Sequence, residues 1–464
     1  MKKKPNIILI SMDATRWDHL SCYGYRRNTT PNIDRLASQG VIYQQAICPA
    51  CWTLPSHASM FTGLYVSQHG THFDNPVLSR KVVTISEFLK QSGYQTIGFP
   101  CNEWLSDAFG FHRGFDTYRF REPWMNQMVQ YSKAGSLIVK AYNKLYRSKK
   151  GRMSRKVNEW VQQQFQKTYS ADTPFYLFVL FSDPHLPYNV YPSTKRYLGG
   201  KLPRALKVNQ DPHKYIVGKA DMKPEEFDLL NGLYDGEISF MDERIGDLLK
   251  VISSYVPLED CMIIITADHG ENIGDHGLMA HQYCLYDTLI HVPLIVKYPE
   301  NADAGTSVPA MVQTNEIVTT ILDVIDIPKS SIDSSLQGRS LKPSIVEQSP
   351  LAFAVSEEPA PNLRRIKCVY PDSDYSSYDR QLRAIRSEEY KFIWASDGRH
   401  ELVNLKTDPQ EKTNIINDQP EKAREMESTL EQWLASIDTD ALSEKTVATC
   451  DDAVVHRLKD LGYL

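Results

Sequence analysis

Three aspartates stand at matching places in this chain. Asp13 follows the apolar run that opens "NIILIS" at Asn6. Asp183 lies two residues beyond "FYLFVLF" at Phe175, and Asp268 directly follows "CMIIITA" at Cys261. Each run is short, rich in β-branched or aromatic residues and bounded by polar ones, so each reads as a buried strand. In an open sheet of such strands, ligands gather beyond the carboxyl ends. Carboxylates placed there are candidates for cation binding or proton transfer. Asp268 is followed by His269, and an adjacent carboxylate and imidazole after a buried strand read as a ligand pair. Thr53 precedes Pro55 in "CWTLPSH". Its hydroxyl reads as a helix N-cap, at a helix end that also favours an anion. Cys48 and Cys51 form one C-x-x-C pair without a second, a weak zinc signal that reads as a chance pair.

The elements that position these residues follow from the rest of the pattern. "YQTIGF" at Tyr94 is a fourth strand-like run. Between the runs lie helical patterns closing on glycine, "PNIDRLASQG" from Pro31 and "VVTISEFLKQSG" from Val82. "EISFMDERIGDLLKVISSY" from Glu237 carries apolar residues at helical spacing. This alternation implies a mostly parallel sheet covered on both faces. Residues 121–168 depart from it. Their basic stretch "KAGSLIVKAYNKLYRSKKGRMSRK" reads as a helical insertion with a solvated face, or as a grip for an anionic polymer or lipid headgroup. From about residue 346, "RQLRAIRSEEYKFIWASDGRHELVNLKTDP" reads as an antiparallel meander turning at Asp397–Gly398, and the charged helix "QPEKAREMESTLEQWLASI" follows. The expected units are therefore 1–345 and 346–464.

Bulk properties narrow the class. The 464 residues suffice for one large and one smaller unit, and 42% hydrophobic with 23% charged residues describes a globular chain. A net charge of −5 argues against nucleic acid as the partner. No apolar run reaches the roughly 18 residues of a membrane span. The apolar stretch Ile7–Ile10 is too short for a signal peptide and meets Asp13. Eight scattered cysteines fit a cytoplasmic enzyme with free thiols.

Several segments together resemble the sulfatases of the alkaline phosphatase superfamily. "SMDATRWDHLSCYGY" resembles their first motif, Asp-Asp-x-Arg-x-Asp-x-Leu-x-Cys-Tyr-Gly. Asp13, Arg16, Asp18, Leu20, Cys22, Tyr23 and Gly24 match, and Ala14 replaces the second Asp. "TLPSHASMFTG" resembles the signature Cys-x-Pro-Ser-x-x-x-x-x-Thr-Gly with Arg after the Ser. Thr53 stands at the Cys that the family oxidises to formylglycine, and His57 at the Arg. "DPHLPY" resembles the Pro-His-x-Pro-Tyr element, with His185 at the substrate-facing His. "TADHGENIGDHGLMAHQYCLYDTLIHVPLIV" resembles the second metal motif, with Asp268 and His269 at the ligand pair and His281 near a sulfate-gripping Lys. "FPCNEWLSDAFGFHRGFDTY" sits where the family has Gly-Lys-x-His, with Asn102 as the polar residue facing the substrate. "LQGRSLKP", "LRAIRSEEYKFI" and "RLKDLGYL" resemble its C-terminal third.

The resemblance implies an α/β, alkaline-phosphatase-like fold. Its large, mostly parallel sheet is flanked by helices, and a small C-terminal α+β subdomain carries a short antiparallel sheet. It implies one divalent metal held by Asp13, Thr53, Asp268 and His269. Three oxygens and one imidazole suit zinc or manganese better than calcium or magnesium. Asp183 and His276 are the candidates for a second metal. Thr53 becomes the nucleophile, activated by the metal. His185 and His281 assist the leaving group, and His57, Asn102, His185 and His281 contact the substrate. The expected activity is hydrolysis of a phosphodiester or phosphomonoester through a covalent intermediate. The alternatives are a sulfatase without formylglycine, a phosphoryl-group transferase, and a non-catalytic binder of anionic glycans. The substrate expected is a small-molecule, glycan-linked or lipid-linked anionic ester, and the oligomeric state is left open.

Overall fold

A computed structural model describes residues 4–120, 151–327, 336 and 338–437. Its centre is an eight-stranded sheet in the order β10-β2-β9-β6-β1-β5-β3-β4. The strands are β1 (Asn6–Met12), β2 (Val41–Ile47), β3 (Gln95–Pro100), β4 (Thr117–Tyr118), β5 (Phe175–Phe181), β6 (Cys261–Thr266), β9 (His291–Lys297) and β10 (Thr306–Gln313). Between β6 and β9 lies a two-stranded ribbon, β7 (Asn272–Ile273) with β8 (Met279–Ala280). β9 runs antiparallel to β2 and β6, and the remaining neighbours in the large sheet are parallel. Every residue of β1, β5, β6 and β9 is buried. Such continuous apolar runs, rather than alternation, are what a sheet covered on both faces requires.

The four runs read as strands are β1, β3, β5 and β6. Three further long strands were not singled out from the sequence, and each has a local reason. β2 alternates through Gln44 and Gln45, β9 contains Pro293, and β10 contains Pro309 beside a register shift. The helix expected from Glu237 begins earlier and spans Pro224–Ser253. Its Asp242 accepts the backbone amides of Asn32 (3.1 Å) and Ile33 (2.8 Å), which caps the Pro31–Ala37 helix from outside. Of the basic insertion, 151–168 forms one helix, Gly151–Thr168. Lys149, Lys150 and the side chain of Arg152 lie outside the described residues.

The meander appears as β11 (Ala354–Glu358), β12 (Leu382–Arg386), β13 (Tyr390–Ala395) and β14 (Glu401–Asn404), antiparallel and in chain order. The Pro420–Ser436 helix packs Ala423, Met426, Leu430 and Trp433 against Val355, Ile385, Phe392 and Leu402. This second sheet does not own a separate core, because Ala354, Leu382, Ala384 and Ile393 join the core of the large sheet. β11 also docks on the segment that leads to Thr53. Ser356 Oγ donates to the Cys48 carbonyl (2.6 Å), and the Glu357 amide donates to the Pro49 carbonyl (2.8 Å).

Glu358 is fully buried and accepts from the Cys51 thiol (3.3 Å) and the Ala360 amide (3.2 Å). Burial pushes its carboxyl up to about 8, although both hydrogen bonds pull it down. Between about pH 4.5 and 8 the folded state therefore holds a proton that the unfolded chain has lost. Stability falls as pH rises through that window, and the cost is in full above about 8. Glu358→Gln should gain thermal stability relative to the native chain at pH 9 and not at pH 5. Melting curves at the two pH values check this, and an equal difference at both would remove Glu358 from the pH dependence.

Candidate active site

The carboxyl ends of β1 and β6 lie side by side, with Ser11 opposite Thr266 in the parallel ladder. The next residues along the two strands therefore converge, which brings Asp13 and Asp268 together from 255 positions apart in sequence order (268 − 13). Both are fully buried. Asp268 Oδ1 accepts from the amides of Ala14 (3.2 Å) and His269 (3.0 Å), and Asp13 Oδ2 accepts from Asn102 Nδ2 (2.9 Å). The other oxygens, Asp13 Oδ1 and Asp268 Oδ2, have no hydrogen-bond partner among the described residues.

His269 stands between them. Its Nδ1 lies 2.8 Å from the Gly270 carbonyl. A carbonyl only accepts, so Nδ1 carries the proton and Nε2 presents its lone pair. Nε2 is 3.6 Å from Asp13 Oδ1, 3.5 Å from Asp268 Oδ2 and 3.4 Å from Thr53 Oγ1. Donors held about 2.1 Å from a tetrahedral ion are about 3.4 Å apart. The spacing fits a divalent cation, and the two orphaned oxygens are the ones that would meet it. Asp13, Asp268 and His269 offer ligand atoms all within 4.8 Å of one another. Among the described residues no other His, Cys, Asp or Glu group does so.

The charge state of the two carboxylates agrees with this fit. Burial raises Asp13, but His185, His269 and the Asn102 hydrogen bond outweigh it and hold it below the usual range. Burial and then the Asp13 charge push Asp268 well above that range. Two carboxyls this close in a dry site share a proton until a cation replaces it.

Thr53 opens the Thr53–Thr62 helix, every residue of which is buried. It was expected as the N-cap. That place belongs to Trp52 in extended conformation, and Thr53 is the first helical residue, with its hydroxyl beside His269. Oγ1 lies 3.5 Å from Asn102 Nδ2. Asn102, expected to face the substrate, thus bridges Asp13 and Thr53. His57, expected at the substrate, is fully buried, with Nδ1 on the Thr53 carbonyl (2.9 Å) and Nε2 on Ser11 Oγ (3.0 Å), and burial takes its pKa to about 4. These bonds tie the helix to β1.

His185 and His281 do reach the site. Their rings lie 5.0 Å apart, and the His281 ring is 4.3 Å from that of His269. His281 Nδ1 is 3.0 Å from Oε1 of the fully buried Glu271. Burial pushes Glu271 up to about 7 and takes His281 well below the usual imidazole range. Asp183 and His276 do not assemble with the other three. Asp183 accepts from Ser154 of the Gly151–Thr168 helix, while His276 stacks on Tyr286 at 3.8 Å. His276 lines a separate cavity of about 770 Å³ with Arg16, Asp287 and Arg386.

Three supporting residues went unrecognised in the sequence: Glu271, Tyr234 and the positioning role of Arg16. Ala14, at the place of the missing carboxylate, has φ +53°, an unfavourable region for a residue with a Cβ. Tyr234 from the Pro224–Ser253 helix holds this turn. Its hydroxyl donates to the Ala14 carbonyl (2.7 Å) and accepts from the Arg16 amide (2.9 Å). Arg16 pairs with Asp18 (2.8 Å) and Asp275 (2.7 Å).

Comparison with known proteins places this geometry. The sulfatase family model matches residues 5–327, and the C-terminal model of N-sulphoglucosamine sulphohydrolase matches 274–440. An ulvan-active sulfatase of Formosa agariphila is 26% identical over 452 residues, covering 94% of this chain and 82% of that protein. The phosphonate monoester hydrolase of Agrobacterium radiobacter has a similar fold. Its TM-score is 0.70 at 19% identity, over 93% of this chain and 96% of that one. A protein solved with its substrate D-glucosamine-2-N,6-O-disulfate gives 0.67 at 19% identity, over 95% and 100%.

Tyr234→Phe leaves the Ala14 carbonyl and the Arg16 amide buried without a partner. Such a loss costs about 1–3 kcal/mol. Urea unfolding should show a lower midpoint with an unchanged slope; an unchanged midpoint would mean that the turn holds itself.

Proposed function

The chain belongs to the sulfatase family, and from that premise we propose that it hydrolyses a phosphate ester with Thr53 as nucleophile. In this reading Asp13, Thr53, Asp268 and His269 hold one divalent cation. At the level of class, the protein is a hydrolase of sulfate or phosphate esters. The carrying observation is the Thr53 hydroxyl, buried at a helix start 3.4 Å from His269 Nε2 and beside two orphaned carboxylate oxygens. When bound, the cation supplies Lewis acidity, lowering the pKa of the threonine hydroxyl and screening charge on the ester oxygens. Zinc or manganese suits the mixed oxygen and imidazole donors.

The chain's own residues supply the rest. Asn102 and the helix start orient Oγ1. Oγ1 attacks phosphorus, the ester bond to the leaving oxygen breaks, and phosphothreonine forms. The proton lost by Thr53 is balanced by one delivered to the leaving oxygen from His185 or His281. Water then attacks phosphorus, the Oγ1–P bond breaks, and the hydroxyl regains its proton. Cys51 is no rival nucleophile, because its thiol is buried, bonded to Glu358 and pushed well above the usual thiol range.

A sulfate ester is the second reading. Support comes from the ulvan-active relative, and a glycan-linked ester suits either class. A threonine sulfate ester, unlike a sulfated aldehyde hydrate, must be opened by water at sulfur, which weighs toward phosphorus.

Thr53→Ala should lose roughly 10³-fold or more of kcat, whereas Thr53→Ser keeps a measurable part. Intact mass should show threonine unmodified, and elemental analysis should show about one zinc or manganese per chain, in keeping with a four-donor site of two carboxylates, one hydroxyl and one imidazole. Nitrophenyl phosphodiester, phosphomonoester and sulfate assayed side by side decide the class. Preference for sulfate would establish the second reading, and native rates in Thr53→Ala would end both.

A further inference from the structure

The side chains gathered around Thr53 are carboxylates, an amide and imidazoles, without a lysine or an arginine among them. Arg16, close behind them, is spent on Asp18 (2.8 Å), Asp275 (2.7 Å) and the Glu271 carbonyl (3.2 Å). An ester that carries a second negative charge away from the reacting group therefore finds its permanent cation only at the rim of the site.

The helix Arg364–Val369, between β11 and β12, lies at that rim and is tied to both halves of the site. On the Thr53 side, the Arg364 guanidinium stands over the ring of Phe73 (4.9 Å). Phe73 is buried and packs on Trp52 (6.4 Å) and Trp104 (6.2 Å). Trp52 directly precedes Thr53, and the Trp104 amide donates to Asn102 Oδ1 (3.1 Å). On the His281 side, Tyr283 Oη donates to the carbonyl of Asn362, just ahead of the helix (3.2 Å). Tyr370 Oη, just beyond it, donates to Asp211 Oδ2 (3.3 Å). Asp211 caps the Pro212–Ile216 helix, which packs against β8, the strand that ends one residue before His281.

Two cationic side chains are described on this short helix, and they differ. Lys367 Nζ is neutralised by Asp379 (2.9 Å). Arg364 is exposed, and its guanidinium forms no ion pair among the described residues. An aromatic ring beneath a guanidinium holds it through the π-face and uses none of its N–H donors. The planar fork stays available for the two oxygens of a carboxylate. A rigid aromatic base, anchored on the neighbours of Thr53 and Asn102, fixes where that fork stands relative to the reacting group.

We propose that Arg364 is a specificity-determining residue whose guanidinium binds a carboxylate on the organic part of the substrate, so that the preferred esters carry a second negative charge. The proposal rests on the reading that this site cleaves esters, and it narrows the substrate class.

The test uses the full chain with two symmetric diesters, bis(3-carboxyphenyl) phosphate and bis(3-carbamoylphenyl) phosphate. Because the two arms are identical, the result does not depend on which arm leaves. The native protein should prefer the carboxylate ester in kcat/KM. Arg364→Gln should lower that preference about tenfold, mainly through KM, the scale of one charge-assisted contact. Arg364→Lys should recover part of it, and Arg364→Glu should reverse it. Both esters are measured on the same protein, so any loss of folded material cancels in the ratio. No preference in the native protein, the native preference retained in Arg364→Gln, or an equal loss on both esters overturns the assignment. Calorimetric binding of the two esters to Thr53→Ala, with and without Arg364→Gln, makes the same comparison without turnover. Weaker binding of the carboxylate ester alone is expected there, and equal changes for both esters overturn the assignment. Turnover of 3-carboxyphenyl and 3-carbamoylphenyl sulfate without turnover of either diester would overturn the phosphate reading, and the ratio between the two sulfates would then decide Arg364 by the same criteria.

Discussion

Two carboxylates that cannot both be satisfied by the protein lie at the centre of this molecule. Asp13 and Asp268 are fully buried, and each has one oxygen without a hydrogen-bond partner among the described residues. Like charges about 4 Å apart repel by about 4 kcal/mol even at an effective dielectric near 20. Unpaired buried polar atoms add a further cost. Sharing a proton relieves the strain partly, and a divalent cation relieves it fully. The surrounding structure can be understood as what keeps these two groups together despite their repulsion.

The parallel ladder of β1 and β6 does most of this. A register fixed by fully buried residues on both strands cannot slip, because a one-residue shift would turn every side chain to the opposite face. Beyond the strand ends the chain is held residue by residue. Asp268 takes the Ala14 amide, Tyr234 clasps Ala14 and Arg16, and Ser56 Oγ donates to the Asp268 carbonyl (2.6 Å). The unfavourable φ of Ala14 is tolerated because these contacts outweigh it.

The C-terminal sheet serves the site without lending it a side chain. β11 grips the segment 48–51 just ahead of Thr53, so the start of the Thr53–Thr62 helix is set by residues some 300 positions later, as in the Ser356–Cys48 bond (sequence separation 308). A buried ion network ties the same sheet to the region before β9. Lys391, with a fully buried side chain, contacts Asp287 and Glu411 at 2.5 Å each, and Arg386 contacts Asp287 at 3.0 Å. Burial raises Asp287, and Arg386 and Lys391 more than reverse it. Removing one partner of such a network strands a buried charge, which is strongly destabilising.

The sequence by itself determined the class of fold and pointed to most of the residues that gather at the candidate site. Short apolar runs ending in Asp13 and Asp268 mark strand ends because a strand buried on both faces must be apolar throughout and must stop where a charge begins. His269, Thr53, His185 and His281 were legible from motif position. Only tertiary structure decided which of these residues meet. Asp183 also follows a strand, yet it bonds Ser154 and stays out of the cluster. His57 sits within the signature, yet both its nitrogens are consumed by Thr53 and Ser11. Glu271 and Tyr234 carry no local mark, because their roles depend on partners 10 and about 220 residues away. Local pattern reports burial and periodicity, which are properties of a segment. Hydrogen-bond partners and charge pairing are properties of two segments, and only the register of the folded sheet brings the second one into place.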